Sequence, residues 1–220
     1  MLYLVRHGET SWNADGRFQG QQDSPLSEIG RIQAQATATA LAPLPLDAVF
    51  TSDLARAAET ATAIAAPRAL TPIPDARLRE AHFGEWEGLT LDDVARCWPE
   101  ALAAWRADSL NNRPPGGEGI AQVYQRVMSM TQEVLTRYPE GAVAIVGHGG
   151  SLRAIVVFVL EAALTVYRRI RLDNCSITSI SVREDRFVLL SLNDTCHLRI
   201  DHLQEQTLRT RDPWRVPPPP

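Results

Sequence analysis

Two apolar runs in this sequence each end in a short polar segment that contains a histidine. Residues 2–5 are followed by Arg-His-Gly-Glu-Thr, and residues 142–146 are followed by Gly-His-Gly-Gly. Continuous apolar runs of this length predict buried β-strands. Open α/β sheets bind ligands at the carboxyl ends of their strands, so His7 is expected to face a crevice. His148 lies at a second strand end of the same kind.

The residues beside His7 suit phosphate chemistry. Arg6 presents a fixed cationic fork that matches phosphate oxygens, and a neighbouring cation keeps an imidazole neutral and therefore nucleophilic. Gly8 allows a ligand to approach the backbone closely. From these residues alone, the alternative is that Arg6 and His7 are solvated polar groups that end a strand.

Composition excludes several classes of function. The chain has 220 residues, of which 45% are hydrophobic, which is typical of one globular α/β domain. Its net charge of -4 argues against a nucleic-acid partner. All of its cationic side chains are arginines, because the sequence contains no lysine. Enzymes that need a Schiff-base lysine and nucleotide hydrolases with a P-loop lysine are therefore excluded.

The cysteines and the start of the chain indicate a cytoplasmic protein without a membrane partner. Cys97, Cys175 and Cys196 are odd in number and lack metal-ligand spacing, so we interpret them as packing residues in a reducing compartment. The chain enters its first predicted strand almost at once, with no signal-peptide pattern before it. No later apolar stretch is long enough to cross a bilayer.

Strand and helix signals alternate in the first half of the chain. Helix-forming residues between two prolines predict a helix over Ser27–Leu41, and a strand is predicted over Asp47–Phe50. An Ala-rich helix is predicted over Leu54–Ala66, with Asp53 as its N-cap and Pro67 as its end. The order is therefore strand, helix, strand, helix.

The second half of the chain continues this alternation. We predict a helical insertion at about residues 88–119, a long amphipathic helix over Glu118–Tyr138, a strand over Ala142–Val146, a helix from near Ser151, and a hairpin-like pair of strands over Ile177–Val182 and Phe187–Leu192. Residues 1–205 are expected to form a single domain. Residues 206–220 form a C-terminal extension whose Pro-rich end is expected to be disordered.

The order of these motifs resembles the histidine phosphatase superfamily, which includes the cofactor-dependent phosphoglycerate mutases. The resemblance runs from Leu2 to about Val182. It is carried by the Arg-His-Gly-Glu-Thr segment at residues 6–10, by residues 52–60 and 78–88, and by the glycine-flanked histidine at residues 147–149. It implies a three-layer α/β/α sandwich with a mostly parallel central sheet and a helical insertion over the active site.

The resemblance also implies a mechanism without a metal or other cofactor. His7 would attack phosphorus to give a phosphohistidine, which water then cleaves. Arg6, Arg56 and His148 would form the charged pocket for the phosphate, and Glu80 would donate a proton to the leaving oxygen. A carboxyl group holds that proton near neutral pH only where burial offsets the pull of nearby arginines.

Three of these residues have structural alternatives. Arg56 falls on a predicted helix, where it could instead pair on the surface with Asp53 or Glu59. Glu80 has two acidic neighbours in the same block, residues 85 and 87, any of which could be solvated. His148 could be a core histidine, although glycines on both sides of a strand-end histidine favour a site.

Substrate-binding positions are less specific. The resemblance implies contacts with substrate from Asn13, Gln19 and Gly20, although turn chemistry would also explain Asn13 and Gly20. The backbone amide of Gly149 at the start of a helix is a further anion donor. His82, two residues after Glu80, has either a specificity role or a capping role. His197 and His202 match no motif position and are interpreted as structural or surface residues.

The branch of the superfamily is predicted from the insertion after the Glu80 block. Phosphoglycerate mutases carry a longer and more basic insertion than residues 88–119, and residues 83–88 resemble the phosphatase branch. Residues 116–119 are similar to the α-ribazole, broad-specificity and phosphoserine phosphatases, although many relatives have Ser where this chain has Gly119. The expected partner is a small phosphorylated metabolite, and the chain is a candidate homodimer. The alternatives are a mutase and a binding module on an inactive phosphatase core.

Overall fold

A six-stranded sheet forms the centre of the computed structural model, which describes residues 1–183 and 186–198. Its strands are β1 (Leu2–Arg6), β2 (Ala48–Thr51), β3 (Ile73–Pro74), β4 (Val143–Gly147), β5 (Ile177–Arg183) and β6 (Arg186–Asp194), in the order β3-β2-β4-β1-β5-β6. The first four in this order are parallel, whereas β5 pairs antiparallel with both β1 and β6. The predicted mostly parallel sheet is confirmed.

Helices cover both faces of the sheet. They are α1 (Ser11–Ala14), α2 (Glu28–Leu41), α3 (Ala55–Ala65), α4 (Leu91–Cys97), α5 (Pro99–Ala107), α6 (Ile120–Arg137) and α7 (Gly149–Val159). Successive strand residues point to opposite faces, so Tyr3 and Val5 pack with α2 and α3, while Leu2 and Leu4 pack in the cluster that contains α6 and α7. Strands β1 and β4, which are apolar except for Arg6 at the end of β1, are buried on both faces, as expected for central strands.

The predicted insertion consists of α4 and α5, and aromatic packing fixes it to the loop that follows α1. Trp105 of α5 contacts Trp86 edge to face, with ring centroids 5.5 Å apart. Phe18 lies 5.6 Å from Trp86 and 6.2 Å from Trp105. Because Phe18 directly precedes Gln19, this buried cluster also holds in place the loop predicted to contact substrate.

The predicted N-cap of α3 is wrong. Leu54, not Asp53, occupies the cap position and makes no side-chain cap bond. The Asp53 carboxylate instead pairs with Arg79, at an N···O distance of 2.5 Å. The Ala55 amide at the start of α3 donates to both carboxylate oxygens of Asp23, each at 2.9 Å. A carboxylate brought in by tertiary structure thus replaces the local cap.

Two of the three cysteines are not packing residues. Cys175 is buried, and burial raises the pKa of its thiol to about 12. Cys97 and Cys196 are exposed, so that part of the interpretation is wrong.

The hairpin-like pair of strands predicted near the end of the chain is confirmed as β5 and β6. His202 and the predicted extension at residues 206–220 lie outside the described residues, and no helix within the described residues is long and apolar enough to span a membrane.

Candidate active site

Strand register brings the two strand-end histidines together. β1 and β4 are adjacent and parallel, and Arg6 at the end of β1 is paired with Gly147 at the end of β4. His7 and His148 directly follow these residues and therefore leave the same edge of the sheet side by side. Their rings are tilted by 57°, with centroids 5.0 Å apart, and both side chains are buried. The sheet thus builds a two-histidine pocket at its carboxyl edge.

The His7 ring is held in one tautomer. Its Nδ1 lies 2.7 Å from the Gly8 carbonyl oxygen, and since a carbonyl only accepts, the Nδ1 must carry the proton. Nε2 is therefore the nitrogen with a free lone pair. Burial, followed by the charges of Arg56 and Arg6, lowers the pKa of His7 well below its usual value. His7 is consequently neutral at physiological pH, the form in which an imidazole is a nucleophile.

His148 has a different environment. Both of its ring nitrogens are buried, and neither has a hydrogen-bond partner among the described residues. Burial and then the charge of Arg56 lower the pKa of His148 well below its usual value. Buried polar atoms normally have partners, so these two nitrogens point to a ligand as the missing partner. The alternative of a satisfied core histidine does not fit this geometry.

Arg6 and Arg56 supply the positive charge of the pocket. Arg6 donates from Nη1 to the Leu172 carbonyl at 2.6 Å. The Arg56 guanidinium is buried and donates to the carbonyls of Gly20 at 2.7 Å and Gln22 at 2.8 Å. Burial lowers the pKa of Arg56 to about 10, so it is still protonated at neutral pH. These carbonyls orient each fork without neutralising its charge.

The surface alternative for Arg56 is wrong. Glu59 pairs with Arg31 of α2 at 2.7 Å, and Asp53 pairs with Arg79. The one carboxylate within ion-pair range of Arg56 among the described residues is Asp23, at 3.9 Å. Because α3 turns Arg56 inward toward the sheet edge, the helix places a buried cation beside the two histidines.

Glu80 lies at the start of α7. Both of its carboxylate oxygens are 3.0 Å from the Gly150 amide nitrogen, and Oε1 also accepts from the Ala81 amide at 2.8 Å. The side chain is largely buried. Its acidic neighbours are placed differently, since Glu85 is exposed and Glu87 accepts from the amides of residues 21 and 83. Of the three, Glu80 is the one that contacts the segment carrying His148.

The predicted substrate contacts divide into two groups. Asn13 is buried and caps α1 by accepting from the Thr10 amide at 3.1 Å, which is the local role that its sequence also allowed. Gly20 has a φ of +56°, and its carbonyl oxygen accepts a hydrogen bond from Arg56. The Gln19 Oε1 atom is buried and has no partner among the described residues, so it remains a candidate contact. The substrate roles of all three stay predictions.

His82 and Gly149 each lie within two residues of a predicted site residue. The His82 side chain is 42% exposed, and its Nδ1 lies 3.2 Å from the Gly116 carbonyl oxygen. Gly149 is the first residue of α7, as expected for an anion donor at a helix start. A Cβ built on Gly149 would lie 3.7 Å from Glu80 Oε2. Glu80 is therefore next to the residue that follows His148.

Three residues that hydrogen-bond to the backbone of the site were absent from the sequence prediction. The Asn174 side-chain amide donates to the His7 carbonyl at 2.9 Å, and the Thr60 hydroxyl accepts from the Gly8 amide at 3.1 Å. Arg126 donates to the backbone of the Glu80 segment. Asn174 carries no local motif, and the signal for it is topological, because β5 is antiparallel and so begins at the edge where β1 ends.

Metal-ligating side chains do not converge elsewhere in the described chain. No group of three or more His, Cys, Asp or Glu residues with metal-binding geometry occurs within residues 1–183 and 186–198.

Comparisons with known proteins agree with this geometry. The chain is 37% identical to Phosphoserine phosphatase 1 of Hydrogenobacter thermophilus over 197 residues, 90% of this chain and 93% of the relative. It is 36% identical to a Probable phosphoglycerate mutase, GpmB, of Cronobacter sakazakii, over 93% of this chain and 97% of the relative. The solved structure of the alpha-ribazole phosphatase from Shigella flexneri superposes with a TM-score of 0.82 at 30% identity, covering 88% of this chain and 96% of that one.

Residues 2–195 match the family model of the histidine phosphatase superfamily (branch 1), and this span contains every residue of the two-histidine pocket. The two histidines at one edge of the sheet, the order of the sequence motifs and the similarity to these relatives lead to one assignment: the chain belongs to the histidine phosphatase superfamily, branch 1.

Proposed function

We propose that this protein hydrolyses small phosphate monoesters through a phosphohistidine formed on His7. The observation that carries the proposal is the pairing of a neutral, tautomer-fixed His7 with a buried and unpartnered His148, 5.0 Å apart between ring centroids. A phosphoryl acceptor and a phosphate-oxygen donor are the two groups that such a transfer needs at one position. In this proposal His7 and His148 take these two roles.

In the first step, His7 Nε2 attacks phosphorus while the bond between phosphorus and the leaving oxygen breaks. Arg6, Arg56 and His148 stabilise the charge on the three equatorial oxygens. The dianionic phosphate also opposes the effect of the arginines on the histidines, since a nearby negative charge favours a protonated imidazole. His148 can therefore donate to a phosphate oxygen once substrate is bound.

Glu80 supplies the proton for the leaving oxygen. It lies beside Gly149, the first residue after His148, so its carboxyl group is next to the strand end that would hold the phosphate. In the second step, water attacks phosphorus, the bond to His7 Nε2 breaks, and the Glu80 carboxylate takes the proton that water loses. Glu80 thus acts first as a general acid and then as a general base.

The substrate class follows from the relatives and the pocket. Relatives are named for phosphoserine, alpha-ribazole and phosphoglycerate chemistry, which share a phosphate monoester on a small metabolite. We propose such a metabolite as the substrate here, with Gln19 and His82 as candidate contacts to the leaving group. Gln19 directly precedes Gly20, whose carbonyl accepts from Arg56, and His82 lies two residues after Glu80.

Trapping the covalent intermediate tests the proposal. Wild-type protein is mixed with 32P-labelled monoester, quenched in alkali within milliseconds, and analysed for acid-labile label on protein. His7→Gln is expected to carry no label. His148→Gln is the matched control, because it replaces an equally buried histidine at the neighbouring strand end, and it is expected to label more slowly but at residue 7. Label on His7→Gln would overturn the assignment of the nucleophile.

Mutase activity is a second candidate, favoured by the 36% identity to a relative named Probable phosphoglycerate mutase. A mutase must retain its intermediate and keep water from the phosphohistidine. We expect the short insertion of α4 and α5 to leave the site open. Phosphorus NMR of 3-phosphoglycerate with catalytic bisphosphoglycerate should therefore show release of inorganic phosphate and no 2-phosphoglycerate. Efficient interconversion with little phosphate release would make the protein a mutase with the same nucleophile.

A further inference from the structure

One guanidinium group holds the backbone that carries Glu80. Arg126 of α6 donates from Nη1 to the carbonyls of Arg77 at 2.7 Å and Arg79 at 2.6 Å. Its Nη2 donates to the carbonyl of Glu80 itself at 2.9 Å. Three carbonyl oxygens from one short segment thus converge on one side chain.

Glu118 completes this arrangement from the residues before α6. Its two oxygens accept from Nε and Nη2 of Arg126 at 2.9 and 2.8 Å. Oε2 also accepts from the His82 amide at 2.9 Å. Burial alone would raise the pKa of Glu118, but the hydrogen bonds and charge of Arg126 outweigh it and lower that pKa. The ion pair therefore hydrogen-bonds to the backbone before and after Glu80, and the opposite charges of its two members compensate each other.

The segment needs such support because it has no regular structure of its own. Residues 79–83 lie between two 3-10 turns, Ala76–Leu78 and Gly84–Trp86, and form no strand or helix. Backbone carbonyls in such a segment must find partners outside a helix or sheet ladder. An arginine can satisfy several of them with its five donors, whereas a lysine has one ammonium group and cannot span them in a fixed fork.

We propose that Arg126 and Glu118 are positioning residues that hold the Glu80 carboxyl at the leaving oxygen. The proposal rests on the proposed function, in which Glu80 is the proton donor. Neither residue is required to touch the substrate. Their effect on catalysis should therefore be seen only where the leaving group needs a proton, and only while Glu80 is present.

A double-mutant cycle tests this dependence. Arg126→Lys, Glu80→Gln and the double variant are compared with wild type by kcat/KM for an alkyl phosphate and for p-nitrophenyl phosphate, whose phenolate leaves without an acid. General acids contribute about 100- to 10,000-fold, so a misplaced acid is expected to cost at least about tenfold on the alkyl substrate. The loss on p-nitrophenyl phosphate should stay below about threefold. In the Glu80→Gln background, Arg126→Lys should have no further effect.

Arg77→Lys is the matched control. Arg77 lies in the 3-10 turn just before residues 79–83 and also connects this part of the chain to α6, through an ion pair with Glu133 at 2.8 Å. The hydrogen-bond partners of its side chain among the described residues are Asp75, Ser129 and Glu133. This variant should change neither rate by more than about twofold. If Arg126→Lys fails to fold, as judged by thermal unfolding, Glu118→Gln gives the same readout, since it removes the charge that orients Arg126 and keeps the side-chain volume.

The outcomes separate the two proposals. Equal losses on both substrates from Glu80→Gln would refute Glu80 as the proton donor, and with it the positioning role. A normal Glu80→Gln pattern combined with equal losses on both substrates from Arg126→Lys, or with additive losses in the double variant, would refute the positioning role alone.

Discussion

The backbone amide of Gly150 lies 3.0 Å from each carboxylate oxygen of Glu80, so the start of α7 holds the proposed proton donor. The contact leaves no space for a side chain. A Cβ on Gly150 would lie 2.0 Å from Glu80 Oε1 and 3.0 Å from the Tyr167 hydroxyl oxygen. Only glycine allows this approach, because the nearest atoms belong to a buried carboxylate and a buried ring.

Gly150→Ala is therefore expected to displace Glu80 and to reduce kcat/KM for alkyl phosphates by at least about tenfold, with a smaller loss on p-nitrophenyl phosphate. Gly119→Ala is the control, since it also lies at a helix start but its Cβ would be 3.7 Å from the nearest atom, an ordinary contact. Steady-state kinetics on the two substrates checks both variants. Wild-type rates for Gly150→Ala would show that Glu80 has no fixed catalytic position.

Arg56→Met should reduce kcat/KM by about 100-fold or more on both substrates, because it removes a buried cation from the transition-state oxygens. Arg56→Lys keeps the charge but loses the fork fixed by the Gly20 and Gln22 carbonyls, and it should recover little of this loss. The control is Arg31→Met, which removes an exposed arginine of α2 that pairs with Glu59 of α3, and it should leave activity unchanged. Full activity of Arg56→Lys would mean that only charge is required.

Stability should depend on pH through the two histidines. Their pKa values are lowered in the folded protein, so between those values and about 6.5 the unfolded chain binds protons that the folded chain does not. The contribution of the two histidines to the free energy of unfolding should therefore be complete above about pH 6.5. As the pH falls below that value, the free energy of unfolding should decrease by at most about 1.4 kcal/mol per pH unit for each histidine.

Urea unfolding of wild type and His7→Gln at pH 8.0 and at several acidic pH values measures this effect. His7→Gln should show a smaller decrease between about pH 6.5 and 5 than wild type, and the double variant with His148→Gln a smaller one still. Identical pH dependence in all three proteins would mean that neither histidine is buried in its neutral form.

Catalysis is expected to need no metal ion, because Arg6, Arg56 and His148 supply the positive charge that a metal would otherwise provide. Activity should survive dialysis against EDTA and should be inhibited by vanadate, which adopts the geometry of the phosphoryl transition state. Phosphate release from p-nitrophenyl phosphate, with and without added Mg²⁺ or Zn²⁺, checks this. Activity lost on chelation and restored by either ion would contradict the metal-free mechanism.

Local chemistry along the chain was sufficient to predict the strands that carry the two histidines. The apolar run before His7 and the one before His148 could be recognised as buried strands because each is continuous and is followed by a short segment that contains a histidine and glycine. Arg56 and Glu80 were selected by their place in family motifs. The alternating strand and helix signals, together with the family resemblance, predicted a mostly parallel sheet, which the structure confirms. The order of its strands came from the structure alone.

Other features depended on contacts between residues far apart in sequence. Asp53 looked like a helix cap, but Asp23 comes from another loop to accept from the start of α3, and Arg79 takes the Asp53 carboxylate. Local propensity does not predict which carboxylate accepts from the first amides of a helix, because that partner depends on how two segments distant in sequence pack together. Asn174 was missed for the same reason, since only the antiparallel pairing of β5 with β1 brings it to the His7 carbonyl.

The sequence by itself determined the residue types of the site, the strand ends that present His7 and His148, and the family, because each is written in short local patterns. The tertiary structure decided the protonated nitrogen of His7, the glycine-only contact between Gly150 and Glu80, and the hold of Arg126 on the backbone that carries Glu80. These depend on distances of about 3 Å between atoms from separate elements, and such distances are fixed only when the layers pack.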